Sequence, residues 1–284
     1  MFALHWLLAR SMVPREYGTY CYALSVVPLL AVVANLGLPN AAIRIVPQYL
    51  ALGERGRVKG FVRSSWIIVM SASLLVTLVL LPLSWFCLDG DLRTSLIFAV
   101  PMLFGLSVLH LLQSTLRAHK HIAASQLPEQ CVVPLVLIAA ALAFGISGVA
   151  ITGSRILFVH AMTLAVVGIG VMWFVTKLLR PQMVDVRAQY ELREWLNLSV
   201  PLAFSSGIWI LLTRVDILLI GVTLGSAQVA AYAVPLKLAA LMYLGMTALD
   251  SILSPMLAEH QARGNQRDIQ RLVTTTANWT LLGT

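Results

Sequence analysis

Residues 66–85 read WIIVMSASLLVTLVLLPLSW and contain no charged side chain. About 20 apolar residues in a helix cross the roughly 30 Å hydrocarbon layer of a bilayer, and a helix satisfies its own backbone hydrogen bonds, as lipid requires. Hydrophobic residues make up 59% of the 284-residue chain and charged residues only 11%. One soluble core could not bury so much apolar surface, so this stretch predicts a transmembrane helix.

Similar apolar runs follow one another along the whole chain. Together they predict an all-α, polytopic membrane protein, because only helices and closed barrels span lipid. A short run covers 1–9, and a last run begins near Leu272 and reaches Thr284. Since both are shorter than a span, we expect a fragment of a longer transporter. The long runs lie at 18–46, 61–88, 94–116, 129–147, 155–176, 195–221 and 229–256.

Lys and Arg are divided unequally between the two sets of loops. Fourteen of the 20 basic residues lie in one set and its flanks, and four lie in the other. Loops rich in Lys and Arg remain in the cytoplasm, so the first set is predicted to be cytoplasmic. The net charge of +8 then indicates contact with anionic lipid headgroups and no nucleic acid. The cytoplasmic set is Arg44, Arg55, Arg57, Lys59, Arg63, Arg117, Lys120, Lys177, Arg180, Arg187, Arg193, Arg263, Arg267 and Arg271.

An internal repeat is indicated by four positions that recur 208 residues later, in the same order and at the same side of the membrane. An even number of crossings separates the copies, which predicts two lobes related by an axis along the membrane normal. The predicted organisation is a first lobe over 1–180, a cytoplasmic linker over 181–194 and an incomplete second lobe over 195–284. The matched positions are Pro47, Gly56, Lys59 and Arg63 with Pro255, Gly264, Arg267 and Arg271.

The opening segment carries the pattern R-x-x-x-P-x-E-Y-G-x-Y, from Arg10 to Tyr20, then an L-G-L turn and an R-x-x-P-x-Y end. Farther on, TRVDILLIGVTLGSAQVAAYAVPLKLAAL contains D-x-x-x-I-G and A-x-Y-A. These motifs resemble those of polysaccharide-transport flippases in the multidrug/oligosaccharidyl-lipid/polysaccharide exporter superfamily, and the resemblance covers nearly the whole chain. Members of that family have more spans, in two lobes.

The resemblance implies that the protein moves a polyprenyl-pyrophosphate-linked oligosaccharide from the cytoplasmic to the outer leaflet for O-antigen, capsule or exopolysaccharide assembly. It also implies a multi-pass protein of the bacterial cytoplasmic (inner) membrane that is not an enzyme. The expected partners are the lipid-linked oligosaccharide, membrane lipids, polysaccharide polymerases and glycosyltransferases. We expect no catalytic residue, no metal site and no cofactor.

Charged residues inside the predicted spans are the candidate site residues, because a charge in lipid is costly unless it is paired or hydrated. Arg214 and Asp216 lie two positions apart, on roughly opposite faces of a helix. Lys237 is at nearly the depth of Asp216, so we predict a pair between Asp216 and Lys237, with Arg214 facing a substrate cavity. The alternative is a lock between helices without substrate contact.

A second pair of charges lies near the cytoplasmic ends of the spans. Arg44 precedes Pro47 by three residues, and Asp250 has a comparable place in the second copy. The two could form an inner gate in an outward-facing state. The alternative is that both side chains reach to the headgroups.

Two other functions remain open at this point. One is a cation-coupled multidrug antiporter of the same superfamily, which usually places a carboxylate in a mainly apolar cavity. The other is a membrane-embedded polysaccharide polymerase, although the outer loops at 89–93, 148–154 and 222–228 are short for an active site. Arg214 and Lys237 favour an anionic cargo and therefore the flippase.

Overall fold

The computed structural model describes residues 1–87, 90–183 and 186–239 together with residues 270 and 274. The described residues form helices joined by short loops, with no strand among them, which confirms the all-α prediction, and residues 226–239 are also helical. The helices are α1 (Phe2–Ser11), α2 (Pro14–Asn35), α3 (Leu38–Ala51), α4 (Arg55–Cys87), α5 (Gly90–Ala118), α6 (Ile122–Leu127), a π-helical turn (Pro128–Val132), α7 (Val133–Ile146), α8 (Gly153–Met183) and α9 (Leu192–Thr223).

Among the described residues, six helical segments are long and apolar enough to cross a bilayer by length and composition. The protein is therefore an all-α, polytopic membrane protein, as predicted. Five of the seven long runs agree with these segments in position. The candidate spans are Pro14–Asn35, Arg55–Pro82, Leu96–Ala118, Ile122–Ile146, Gly153–Leu179 and Leu192–Thr223.

The prediction of a single span over 18–46 is wrong, because two helices occupy this stretch. Leu36 and Gly37 adopt left-handed backbone conformations, with φ of 48° and 72°, and a left-handed residue ends an α-helix. After this break α3 begins at Leu38. It buries one face and leaves the other, with Asn40 and Arg44, exposed, so α3 is an amphipathic helix rather than part of a span.

The chain divides into two compact units, Met1–Ala231 and Tyr232–Thr284. In the first unit α5 packs against α2, α3, α4 and α8, and α9 packs against α2 and α3. The lobe boundaries at 180 and 195 stay a prediction. The Pro255, Gly264, Arg267 and Arg271 half of the predicted repeat lies outside the described residues.

The E-Y-G-x-Y motif joins four parts of the first unit. The Glu16 carboxylate accepts the Gly153 N–H at the start of α8, at 2.7 Å. A Cβ at Gly18 would overlap the Ser226 carbonyl, so only glycine allows this approach. Tyr17 hydrogen-bonds to His5 of α1 at 3.2 Å. The motif therefore fixes the packing of α2 at the predicted outer side.

Tyr20, the last residue of this motif, is fully buried. Its hydroxyl lies 3.4 Å from Nδ1 of His160 on α8. A buried phenol needs a hydrogen-bond partner, since leaving its polar group unpaired costs about 1–3 kcal/mol. This contact joins α2 to α8 in the interior of the bundle.

Candidate functional site

A polar cavity of about 290 Å³ opens between α2, α3, α5, the α6 and π-helical segment, and α9. It lies along the last turns of α2 and α5, at the end of the bundle that is predicted to face the cytoplasm. Amide, hydroxyl, imidazole, guanidinium and carboxylate groups all contribute to its wall. The lining residues are Pro28, Ala31, Val32, Asn35, Gly37, Pro39, Asn40, His110, Gln113, Arg117, Gln126, Glu129, Ala203, Ser206 and Ile210.

Helix α5 supplies the polar stripe of this cavity. His110, Gln113 and Arg117 are spaced three and four residues apart, so their side chains share one face of the helix. Leu109 and Leu112, which precede two of these residues, are fully buried in the bundle. Packing of the apolar residues therefore directs the polar stripe into the cavity.

Glu129 faces this stripe from the π-helical turn. Its Oε2 accepts a hydrogen bond from Gln113 Nε2 at 3.0 Å, and its Oε1 lies 3.9 Å from His110 Nε2. Arg117 also acts electrostatically on the carboxylate. Glu129 is thus the acidic partner of three side chains on α5.

The π-helical turn begins at Pro128, which has no N–H to give to the helix, and it closes with the Val133 N–H donating to the Pro128 carbonyl. π-helical turns within α-helices are frequent at functional sites. Here the wide turn carries Glu129 into the cavity from a segment that otherwise reads as one continuous span.

Two polar atoms in the cavity wall are buried without a hydrogen-bond partner in the described structure, Asn35 Oδ1 and Arg117 Nε. Buried polar atoms are nearly always paired, and an exception points to an absent water, ion or ligand. One is an acceptor and the other a donor. Neither atom is reached by solvent, so both belong to the interior of the cavity wall.

Helices α3 and α9 close the cavity on the opposite side. Asn40 Nδ2 donates to Ser206 Oγ at 2.7 Å. Close contact is possible because Gly37 sits against the Ser199 carbonyl of α9, where a Cβ would overlap it. The break between α2 and α3 thus helps to shape the cavity wall.

The predicted residue Arg214 lies on α9, along the part of this helix that packs against α2. Gly207 and Gly221, seven residues before and after it, approach Val32 and the Tyr22 ring of α2. Arg214 is half-buried and lies near Cys21 of α2. It lies one turn beyond Ile210 on α9, so it lines the same interface as the cavity without forming part of its wall.

Two other predicted site residues, Asp216 and Arg44, do not line the cavity. Asp216 is exposed, on the side of α9 away from Arg214. Lys237 belongs to the second compact unit, and the pair with Asp216 stays a prediction. Arg44 is exposed on α3. Asp250 lies outside the described residues, so the inner gate also stays a prediction.

Sequence reasoning missed the four residues at the centre of the cavity, which are His110, Gln113, Arg117 and Glu129. It considered only charges well inside the predicted spans, and those spans ended at 116 and began at 129. The available signal was the helical spacing of 110, 113 and 117 in an apolar run, followed by Gln126 and Glu129 at the same spacing.

Comparison with known proteins gives one match. The sequence model of the family described as "Polysaccharide biosynthesis protein" matches residues 2–261. No curated protein matches the chain, and no solved structure matches it. The family match includes every helix that lines the cavity.

Proposed function

This chain belongs to the polysaccharide biosynthesis protein family, and on that premise we propose that it is a lipid-linked oligosaccharide flippase. It moves a polyprenyl-pyrophosphate-linked oligosaccharide from the cytoplasmic to the outer leaflet of the bacterial inner membrane. The product serves O-antigen, capsule or exopolysaccharide assembly. The resemblance in the opening motifs agrees with the family match.

The polar cavity inside a membrane bundle is the observation that carries this proposal. Sugar hydroxyls and pyrophosphate are too costly to move through hydrocarbon unless the protein replaces their hydrogen bonds to water. The polyprenyl tail needs no such path, since it remains in lipid. A cavity between membrane helices with polar groups in its wall meets the first requirement.

The chemistry of the wall suits a glycan joined to an anionic group. Asn35, Asn40, Gln126 and Ser206 offer donors and acceptors that can replace water around sugar hydroxyls. Arg117 offers a planar donor array that matches the oxygens of a phosphate group. The cavity lies at the predicted cytoplasmic end, which is where the cargo is loaded in this proposal.

The remaining parts of the proposal concern partners and chemistry. We propose that the protein makes and breaks no covalent bond. Glycosyltransferases act on the lipid-linked cargo before this protein moves it, and polysaccharide polymerases act on the same cargo afterwards. The pairing of Asp216 with Lys237 and the inner gate of Arg44 with Asp250 stay predictions, since neither Asp216 nor Arg44 lines the described cavity. Each assignment needs its own test.

One observation favours the cation-coupled multidrug antiporter as a second candidate. Glu129 places a carboxylate in the cavity, and such a group can bind either a proton or a cationic drug. The mixture of Arg117 and several amides in the same wall favours the flippase, because a cationic drug gains nothing from a neighbouring guanidinium.

Deleting the gene separates the two functions. A flippase deletion is expected to leave a pool of polyprenyl-linked oligosaccharide facing the cytoplasm. A glycan-modifying enzyme added to intact cells cannot reach this pool, so the lipids extracted afterwards remain unmodified. An antiporter deletion leaves these lipids unchanged and raises drug sensitivity. Unchanged lipids would therefore rule out the proposed function.

Arg214 and Asp216 provide a matched test on one helix. We expect Arg214→Gln to lower export about tenfold, because it removes a half-buried charge near the bundle interior. Asp216→Asn alters a charge of opposite sign on the exposed face and is expected to have less effect. The measurement is the size of the inward-facing lipid-linked pool in cells that carry each variant. Equal pools in the two variants would show that position along α9, rather than its face, decides the effect.

A further inference from the structure

We propose that Glu129 is a proton-binding residue that controls an anion site at Arg117, so that the cavity binds a pyrophosphate or phosphate-ester group together with a proton. This inference rests on the proposed flippase function and concerns the control of the same cavity. It assigns different roles to two charged residues that face each other across the cavity wall.

The first observation is the arrangement around the Glu129 carboxylate. One oxygen accepts the hydrogen bond from Gln113 at 3.0 Å, and the other lies 3.9 Å from His110 Nε2. Arg117 adds an electrostatic attraction. Without cargo, the carboxylate is therefore held as the counter-charge of the basic groups on α5.

The second observation concerns Arg117. Its Nε is buried and makes no hydrogen bond within the described ranges, although the residue lines the cavity. A guanidinium presents donors in a fixed plane that fit two oxygens of a phosphate group. Arg117 thus lines the cavity as a donor, and a phosphate group bound there would accept hydrogen bonds from its guanidinium group.

A phosphate group bound at Arg117 and the ionised Glu129 carboxylate would repel each other. A phosphate group bound at Arg117 brings negative charge close to the Glu129 carboxylate, and like charges at short range favour the protonated form of a carboxyl group. Binding of the anion and binding of the proton therefore assist each other. By linkage the effect is reciprocal, so a proton on Glu129 strengthens anion binding by the same factor.

The titratable and charged groups around Glu129 come from two other helices. His110 and Arg117 face it from α5. His160 on α8 interacts with it electrostatically and makes its own contact with Tyr20 at 3.4 Å. The cavity residues of α2, α3 and α9 are uncharged. His110 is thus the principal alternative acceptor of the proton, and the experiment must distinguish it from Glu129.

Coupled binding has a direct consequence for transport. A proton on Glu129 removes one negative charge from the loaded cavity, which lowers the cost of holding an anionic headgroup in the low-dielectric interior. Cargo and proton then leave together on the outer side. An inward proton gradient would oppose export by this route, so consumption of the glycan outside has to drive it.

The experiment is a binding titration on the purified full-length protein in detergent, by calorimetry in buffers with different heats of ionisation. The probes are inorganic pyrophosphate and farnesyl pyrophosphate. We expect uptake of about one proton per bound anion, and weaker binding as the pH rises through the range where Glu129 loses its proton. Tighter binding of farnesyl pyrophosphate identifies a lipid-linked ligand, and equal binding identifies the free anion.

Four variants separate the roles. Glu129→Gln is expected to bind pyrophosphate about tenfold more tightly and without proton uptake, whereas Arg117→Gln abolishes binding. His110→Gln is expected to retain proton uptake. Glu16→Gln is the matched control, since it removes a carboxylate at the other end of α2 while keeping an acceptor for the Gly153 N–H, and it should behave as the wild type.

Two results would overturn the inference. One is proton uptake by Glu129→Gln equal to that of the wild type, and the other is no binding of either anion to the wild type. Neither result depends on flipping, because binding is measured without a membrane. If the anion and proton bind together but gene deletion leaves no lipid-linked pool, the proposed function alone fails.

Discussion

Replacing Arg117 by Gln is expected to lower export of the lipid-linked oligosaccharide about 100-fold. Gln retains a donor and much of the side-chain length, but it loses the charge and the planar array that binds two phosphate oxygens. A charge-assisted hydrogen bond of this kind contributes about 1.5–3 kcal/mol. The upper value corresponds to a rate change of about 100-fold. The measurement is the initial rate at which newly made lipid-linked units reach the outer leaflet.

Arg63→Gln is the matched control for this substitution. Arg63 is exposed on α4 and also belongs to the predicted cytoplasmic set, so the control removes the same charge on the same side of the membrane. We expect export close to that of the wild type. Equal loss of export in the two variants would mean that total basic charge, and no particular cavity residue, governs loading.

Replacing Gly37 by Ala is expected to lower the free energy of unfolding by about 2–5 kcal/mol. The left-handed backbone, with φ of 72°, costs a residue with a Cβ about 1–2 kcal/mol. In addition, the new Cβ would overlap the Ser199 carbonyl, and overpacking of this kind costs about 1–3 kcal/mol. The sum is a large share of the stability of a typical domain. The measurement is the thermal unfolding midpoint in detergent.

Two other glycines separate the backbone cost from the packing cost. Gly53 also has a positive φ, of 75°, but no described atom lies within 4 Å of its added Cβ. Gly53→Ala should therefore cost only about 1–2 kcal/mol. Gly168, within α8, has neither a positive φ nor such a neighbour among the described atoms, and Ala there should stabilise the helix by about 1 kcal/mol. Equal losses for Gly37→Ala and Gly53→Ala would show that the contact with α9 contributes nothing.

The membrane helices could be predicted because lipid acts on sequence directly. Every residue that faces hydrocarbon must be apolar, and the run has to be long enough to cross, so length and composition together suffice. The boundary between α2 and α3 could not be predicted by hydropathy, because Leu36 and Leu38 continue the apolar run. Only the glycine in the L-G-L motif marks the break, through a backbone conformation that hydropathy does not measure.

The cavity was harder to predict, for a different reason. Charge in a span is conspicuous in a sequence, which is why Arg214, Asp216 and Lys237 are predicted as cavity residues. The structure places Arg214 at the α2 interface. Asn35 and Gln113 carry no charge and scarcely alter the hydropathy of a span. Their role depends on which face of the helix meets its neighbours, and that is decided by tertiary packing rather than by local sequence.

The π-helical turn at Pro128–Val132 makes the cavity sensitive to the number of residues, as well as to their identity. Such a turn accommodates one residue more than the α-helix around it, and each residue of an α-helix turns the chain by about 100°. A deletion of a single residue between 130 and 132 would let the Pro128 carbonyl accept the same valine N–H with α-helical geometry, so the segments on either side would keep their mutual rotation, whereas a deletion within α7 would rotate Glu129 by about 100° relative to the rest of α7. A one-codon deletion in α7 would thus turn the acid away from the stripe on α5, and the same deletion inside the π-helical turn would not, while the span stayed long enough to cross the bilayer in both cases.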